Sequence, residues 1–225
     1  MVDPAPFLLT LKLALVSTVI LFLISLPIAY ALAYSSFRLK PVIEAVVSLP
    51  LILPPSVLGF YLLLAFSPER SFGGFLDRVF DLRLVFTFSG LVISSVIYSL
   101  PFMVQPFQSG FRMIPRGLID ASYTLGKTRL QTLIHVLLPN MRASLITGSI
   151  LAFAHTIGEF GVVLMIGGSI PEETRVVSIA LYDEVQAMHY GTANIYAAIL
   201  LAFSFVVLVT VYTINQRFTN NLFRP

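Results

Sequence analysis

His155 and Glu159 stand four residues apart in an apolar stretch, a spacing that puts both on one face of a helix. Such a pair can contribute to a metal site, pass a proton, or hydrogen-bond each other or neighbouring backbone near a helix break made by Gly158 and Gly161. Two ligands alone do not make a metal site, and no third ligand or nucleophile is placed to complete a catalytic set. No catalytic residue, metal ligand or cofactor site is therefore assigned. Cysteine is absent, which removes disulfides, thiolate metal sites and thiol nucleophiles together. There is no Gly-x4-Gly-Lys-Ser/Thr loop, so nothing in the chain can cradle ATP phosphates on backbone amides.

A second polar concentration begins at Asp120-Ala121-Ser122 and ends at Leu138-Pro139. Leu118, Ser122 and Leu125 fall on one face of a short helix that Gly126 stops. Beyond it Leu130, Leu133, Ile134, Leu137 and Leu138 share a face, with Lys127, Arg129, Gln131, Thr132 and His135 opposite, which predicts a second helix lying along a membrane surface. Pro139 lacks an amide hydrogen and suits the end of that helix or the first turn of the next. An acid beside two small residues on an exposed helix is poor core material but lets a partner approach the backbone closely. An ordinary surface-lying helix would show the same local pattern.

The elements that carry these groups are set by composition. The chain has 225 residues, 57% apolar and 11% charged, with a mean hydropathy of +0.90. A soluble domain carries about twice that charge, so this is an integral membrane protein resting in a lipid bilayer. Five long apolar segments each exceed the roughly 20 residues that cross the hydrocarbon. The expected fold is all-α, one membrane domain over residues 1–225, with spans near 8–36, 44–66, 84–108, 141–167 and 193–216 and a loop over 112–140. The first segment is too long for the core of a signal peptide and reads as a span. About nine residues follow the last uncharged stretch, which predicts no separate C-terminal regulatory domain.

Charge orients the spans. If the 112–140 loop is cytoplasmic, nine Lys and Arg lie inside: Arg38, Lys40, Arg112, Arg116, Lys127, Arg129, Arg142, Arg217 and Arg224. Five lie outside: Lys12, Arg70, Arg78, Arg83 and Arg175. That bias predicts an outside N-terminus and a cytoplasmic C-terminus. Gly73-Gly74 and Gly167-Gly168 read as outer turns, and the spacing of Val177, Leu181, Val185 and Met188 predicts a short helix on or in the outer face. Pro50, Pro54 and Pro55 either bend the second span so that it lines a pathway, together with Ser56, or mark its start near Pro55. Glu159 is the one acid deep in a span; with His155 and Gly161 it forms a candidate gate or a packing element.

Asp120-Ala121-Ser122, Gly126, Val136 and Leu138-Pro139 resemble the cytoplasmic "EAA" loop of permease subunits in ABC importers. Here Asp replaces Glu, Ser the second Ala, and Val an Ile. The likeness covers nearly the whole chain and is greatest to the ModB family of molybdate or tungstate permeases. Its further carriers are Ser48 to Tyr61, Ser99-Leu100-Pro101-Phe102-Met103-Val104, Gly158-Glu159-Phe160-Gly161 and Glu173-Thr174-Arg175. Sulfate permeases share the loop and a similar Gly-Glu-Phe-Gly element. The resemblance implies a non-catalytic subunit in the cell (inner) membrane, importing molybdate or tungstate, with sulfate as the alternative. It implies a homodimer with two cytoplasmic ABC ATPase subunits and an extracytoplasmic oxyanion-binding protein, and no nucleic acid. It also implies that Asp120, Ala121, Ser122, Leu125, Gly126 and Pro139 belong to the loop that couples ATPase closure to the spans. Two readings from other classes are an intramembrane metal-dependent enzyme built on His155 and Glu159, and a passive channel that would need no docking helix.

Overall fold

Lipid offers a backbone amide no hydrogen-bond partner, so long apolar segments must pair their amides internally. The computed structural model describes residues 3–222, and they are 81% helical, with no strand among them. In chain order the helices are α1 (Ala5–Tyr34), α2 (Lys40–Ile52), α3 (Pro55–Phe66), α4 (Ser71–Phe80), α5 (Phe88–Met113) and α6 (Arg116–Thr124). Next come α7 (Arg129–Thr132), a π-turn (Leu133–Leu137), α8 (Leu138–Asn140), α9 (Arg142–Gly158), α10 (Gly161–Gly167), α11 (Val177–Gln186) and α12 (Tyr190–Leu222). Three helices are singly long and apolar enough to cross a membrane: α1, α5 and the Tyr190–Thr213 part of α12. The number reaches five if each of two bent pairs is one span, α2 with α3 at 113° and Arg129–Asn140 with α9 at 75°.

Side-chain pairs fix how the long helices run. Lys12 places its ammonium 4.4 Å over the Phe88 ring, and the Tyr34 hydroxyl donates to the Phe111 carbonyl at 2.9 Å. Thus α1 and α5 are parallel. Ser144 lies against Gly110 while His155 meets Ser99, so α9 returns antiparallel to α5. The Tyr196 hydroxyl donates to the Asp3 carbonyl and its ring stacks on Phe7, so α12 starts where α1 starts. The molecule therefore has a Phe88 end and a Phe111 end.

Inside a bilayer, close packing rather than the hydrophobic effect holds helices together, and small side chains permit it. The buried face of α1 is Ala14, Ser17, Leu21, Ser25, Ala29 and Leu32, mostly small and spaced by three or four. Met103, Phe107 and Phe111 of α5 fill against it, with Tyr30 and Tyr34 set edge-on to Phe111.

Two details depart from expectation. Gly73 and Gly74 form no turn; both are buried inside α4, where a Cβ would lie 2.2 and 2.7 Å from the Ser67 and Pro68 carbonyl oxygens. Gly168, by contrast, does turn the chain after α10, at φ +60°. Finally, α5 runs to Met113, so Arg112 belongs to its last turn rather than to the loop, where a cation favours the helix dipole. Arg224, counted among the inside charges, lies outside the described residues.

At Gly90 a Cβ would come within 1.7 Å of the Leu84 carbonyl oxygen, whereas at Gly117 nothing lies within 4 Å. Gly90→Ala is therefore expected to cost about 2–3 kcal/mol. Gly117→Ala should be neutral or stabilising by at most about 1 kcal/mol. Thermal unfolding of the two variants in detergent checks the contrast, and equal melting temperatures would refute it.

Candidate functional site

The 116–140 loop is fixed by local chemistry at each turn. Pro115 starts α6, and Gly126 ends it at φ +77°, a conformation open to glycine at little steric cost. The Lys127 amide donates to the Ser122 carbonyl and the Gly126 amide to the Tyr123 carbonyl, the paired bonds of a Schellman cap. Thr128 and Gln131 then form a reciprocal capping box that opens α7. Between the two helices, the Ser122 and Thr132 hydroxyls share a hydrogen bond at 2.9 Å, with both residues buried.

That bond divides the loop differently from the sequence pattern. Ser122 faces inward and Thr132 joins it, although Thr132 falls on the polar face of the projected helix. Asp120 and Ala121 remain exposed, as do Leu118 and Tyr123, and Leu125 is 80% exposed. The expected single apolar face beyond Gly126 is also split. Leu137 is buried with Leu133 and Leu138 packed beside it, while Leu130 and Ile134 face outward. The cause is the π-turn: Leu138 donates to the Leu133 carbonyl five residues back, so the faces before and after it no longer align. Pro139 follows at once, exposed in α8, and an α-helical turn there would press its ring on the carbonyl four residues back.

The second group of predicted residues meets at two helix breaks. A residue preceding proline is pushed out of the α region, and the chain reads Leu53-Pro54-Pro55. Leu53 and Pro54 are accordingly extended, at ψ 135° each, and Pro55 starts α3. Glu159 is extended between α9 and α10 at φ −67°, ψ 135°. The breaks pack on each other: a Cβ at Gly161 would lie 2.7 Å from the Pro55 Cβ. Around them is a cleft of about 500 Å³ lined by Pro55, Ser56, Tyr98, Ala154, His155, Gly158, Glu159, Phe160 and Gly161. Pro54 sits at its edge in sequence, capping α3.

His155 and Glu159 do not act as a pair. Because α9 stops at Gly158, Glu159 leaves the face that His155 occupies. The His155 Nδ1 lies 2.9 Å from the Ser99 hydroxyl, which also meets Thr156, and its ring stacks on Phe102 at 3.9 Å. Glu159 is 3% exposed; neither carboxylate oxygen has a partner at hydrogen-bonding distance, and Ser95, also unpaired, is the hydroxyl that faces it. Its backbone carbonyl accepts from Ser178 of α11, whose first amide donates to Thr10 of α1. No group of three or more His, Cys, Asp or Glu suited to a metal occurs among the described residues.

Tyr98, Ser99 and Phe102 surround His155, although the sequence pattern singled out no role for Tyr98 and marked Ser99 and Phe102 only as part of the family resemblance. Ser94, Ser95 and Ser99 in the largely apolar stretch from Leu91 to Val104 were the available sign of a polar interior. The triplet Glu173-Thr174-Arg175 ties the Phe88 end together. Glu173 accepts the Phe88 amide, Thr174 bridges Gly167 and Ile170, and Arg175 pairs with Asp183.

Comparison with known proteins agrees with this architecture. The family described as "Binding-protein-dependent transport system inner membrane component" matches residues 10–221. The chain is 47% identical over 220 residues to the molybdenum transport system permease protein ModB of Azotobacter vinelandii, covering 98% of this chain and 97% of that one. It is 32% identical over 214 residues to the sulfate transport system permease protein CysT of Salmonella typhimurium, covering 95% and 77%. Among solved structures, a bacterial alginate ABC transporter chain superposes with a TM-score of 0.74 at 17% identity, covering 94% of this chain and 77% of that chain. An inward-facing chain of the MetNI methionine ABC transporter superposes with a TM-score of 0.70 at 18% identity over 100% of both. At such identities the superpositions speak for the fold alone. Helical architecture, sequence and family match together place the chain among the binding-protein-dependent transport system inner membrane components, as a permease subunit of an ABC importer.

Proposed function

We propose that this permease carries molybdate, or tungstate, across the inner membrane, driven by ATP hydrolysis in a partner subunit. The observation that carries the substrate is the 47% identity to ModB over nearly the full length of both chains. Sulfate is the second reading, supported by the 32% identity to CysT, of which the chain covers 77%. The chain itself performs no catalysis. It works as a homodimer with two ATPase subunits on the Phe111 end and an oxyanion-binding protein at the Phe88 end. The Phe111 end is cytoplasmic, so the N-terminus is outside and the C-terminus inside, as the Lys and Arg distribution favours.

In this reading α6 is the coupling helix. Its exposed Asp120, Ala121, Tyr123 and Leu125 seat in a groove of the ATPase, while the Ser122–Thr132 bond and the Schellman cap keep it from shearing off α7. Load passes through Leu133, Leu137, Leu138 and Met141 into the packing with α1 and α5. The 75° bend into α9 turns that displacement along the membrane normal, toward the break at Glu159. Movement of α9 there would open or close the cleft held by Pro55, Ser56, His155 and Gly161.

A side chain at Gly126 is expected to cost roughly 1–2 kcal/mol in the left-handed region. Gly126→Val should lower ATPase co-purification and uptake by about tenfold or more while the protein still inserts; unchanged uptake would remove the docking role. A reporter fused after Asn140 should be active only on the cytoplasmic side, and activity on the outer side would reverse the topology. In a strain lacking this gene, high external molybdate should restore growth with sulfate uptake intact. Lost sulfate uptake, with molybdate uptake normal, would favour the second reading.

A further inference from the structure

A second cleft, of about 470 Å³, opens between α2 and α5 toward the Phe111 end. Its polar lining is Glu44, Ser48, Gln105, Gln108, Ser109 and Arg112. Gln105, Gln108, Ser109 and Arg112 continue at helical spacing the face of α5 that carries Tyr98 in the first cleft, so one stripe of that helix leads from one cleft to the other. Apart from Glu44, every side chain in the set donates hydrogen bonds.

The charges are arranged for exchange rather than for strength. A single Glu44 oxygen, Oε1, accepts from both Gln108 Nε2 and Arg112 Nη2, each at 2.7 Å. That is one contact, not the two-point fork through which Arg and a carboxylate bind most tightly. Both side chains are substantially exposed to the cleft, where an ion pair is weak. Gln108 also reaches the Leu32 carbonyl at 3.4 Å, and Gln105 donates to the Ser48 hydroxyl at 3.2 Å. A tetrahedral oxyanion presents to such a cleft the same acceptor that Glu44 presents, with two charges instead of one.

We propose that the α2–α5 cleft is a low-affinity oxyanion subsite on the ATPase side of the helix breaks, in which Glu44 holds Arg112 and Gln108 until the substrate dianion takes their hydrogen bonds in exchange. The carboxylate then returns as the anion leaves, so Arg112 is never left unpaired and release toward the ATPase side stays easy. This subsite rests on the reading of the chain as an oxyanion permease.

The test uses the complete transporter, with ATPase and binding protein, in liposomes, and measures molybdate uptake against molybdate added on the ATPase side. Glu44→Gln should leave Arg112 without its competitor and strengthen inhibition from that side by about tenfold. Arg112→Gln should weaken the inhibition by about tenfold and lower the maximal rate, and Arg112→Lys should keep most of it. The opposite signs are diagnostic, because a purely structural ion pair would be broken equally by Glu44→Gln and Arg112→Gln. Shifts in the same direction, or no shift in either variant, would overturn the subsite. Wild-type transporter that carries neither molybdate nor sulfate would instead overturn the oxyanion reading, and the subsite with it.

Discussion

Two interruptions of apolar segments, at Leu53-Pro54-Pro55 and at Glu159-Phe160, pack against each other, and the structure of the middle of the molecule depends on that contact. Irregular backbone exposed to lipid would leave its amides unpaired. The contact of Gly161 with Pro55 brings the interruptions together, and Gly59 continues it by admitting Val162 and Met165 of α10. A set of polar groups gathers there: His155 on Ser99, the unpartnered Glu159 carboxylate, Ser56 and Tyr98. The continuous helices α1 and α5 supply the rigid wall against which this broken pair is set.

The same division of labour recurs at the Phe111 end. Long helices terminate in rings and hydrogen bonds between Tyr30, Tyr34 and Phe111, and the short elements α6 to α8 hang from that packed end. Their own ends are fixed by a Schellman motif, a capping box and one hydroxyl pair, and Leu137, with Leu133 and Leu138, seats them in the core. Elements tied to one another by caps and to the core through Leu137 would carry a displacement inward, which suits a part through which a partner's motion is proposed to enter.

What the residues disclose in advance follows from how local the deciding interaction is. Apolar length alone marks the helical segments, and the helix stop at Gly126 depends on the residue itself, as does the break before Pro54 and Pro55. The inward turn of Ser122 depends on Thr132, ten residues on, and the seat of His155 on Ser99, 56 residues back. Neither partner is signalled by spacing. The separation of Glu159 from His155 is an intermediate case. Gly158 and Gly161 suggest a break, yet the placement of that break one residue before Glu159, rather than after it, decides whether the two side chains share a face. Arg112 and Glu44 meet across 68 residues, and only the fold makes a cleft of them.

The inward Ser122 has one more consequence. Along α6 and its cap the side chains fall into two sets: Ser122 bonds Thr132 within the fold, whereas Asp120, Ala121, Tyr123 and Leu125 are exposed and are the ones proposed to meet the ATPase. Positions of the first kind can change only as a matched pair inside one gene. In that proposal, positions of the second kind can drift together with a different gene, so a transporter could exchange its motor subunit while the interior of this loop stays the same.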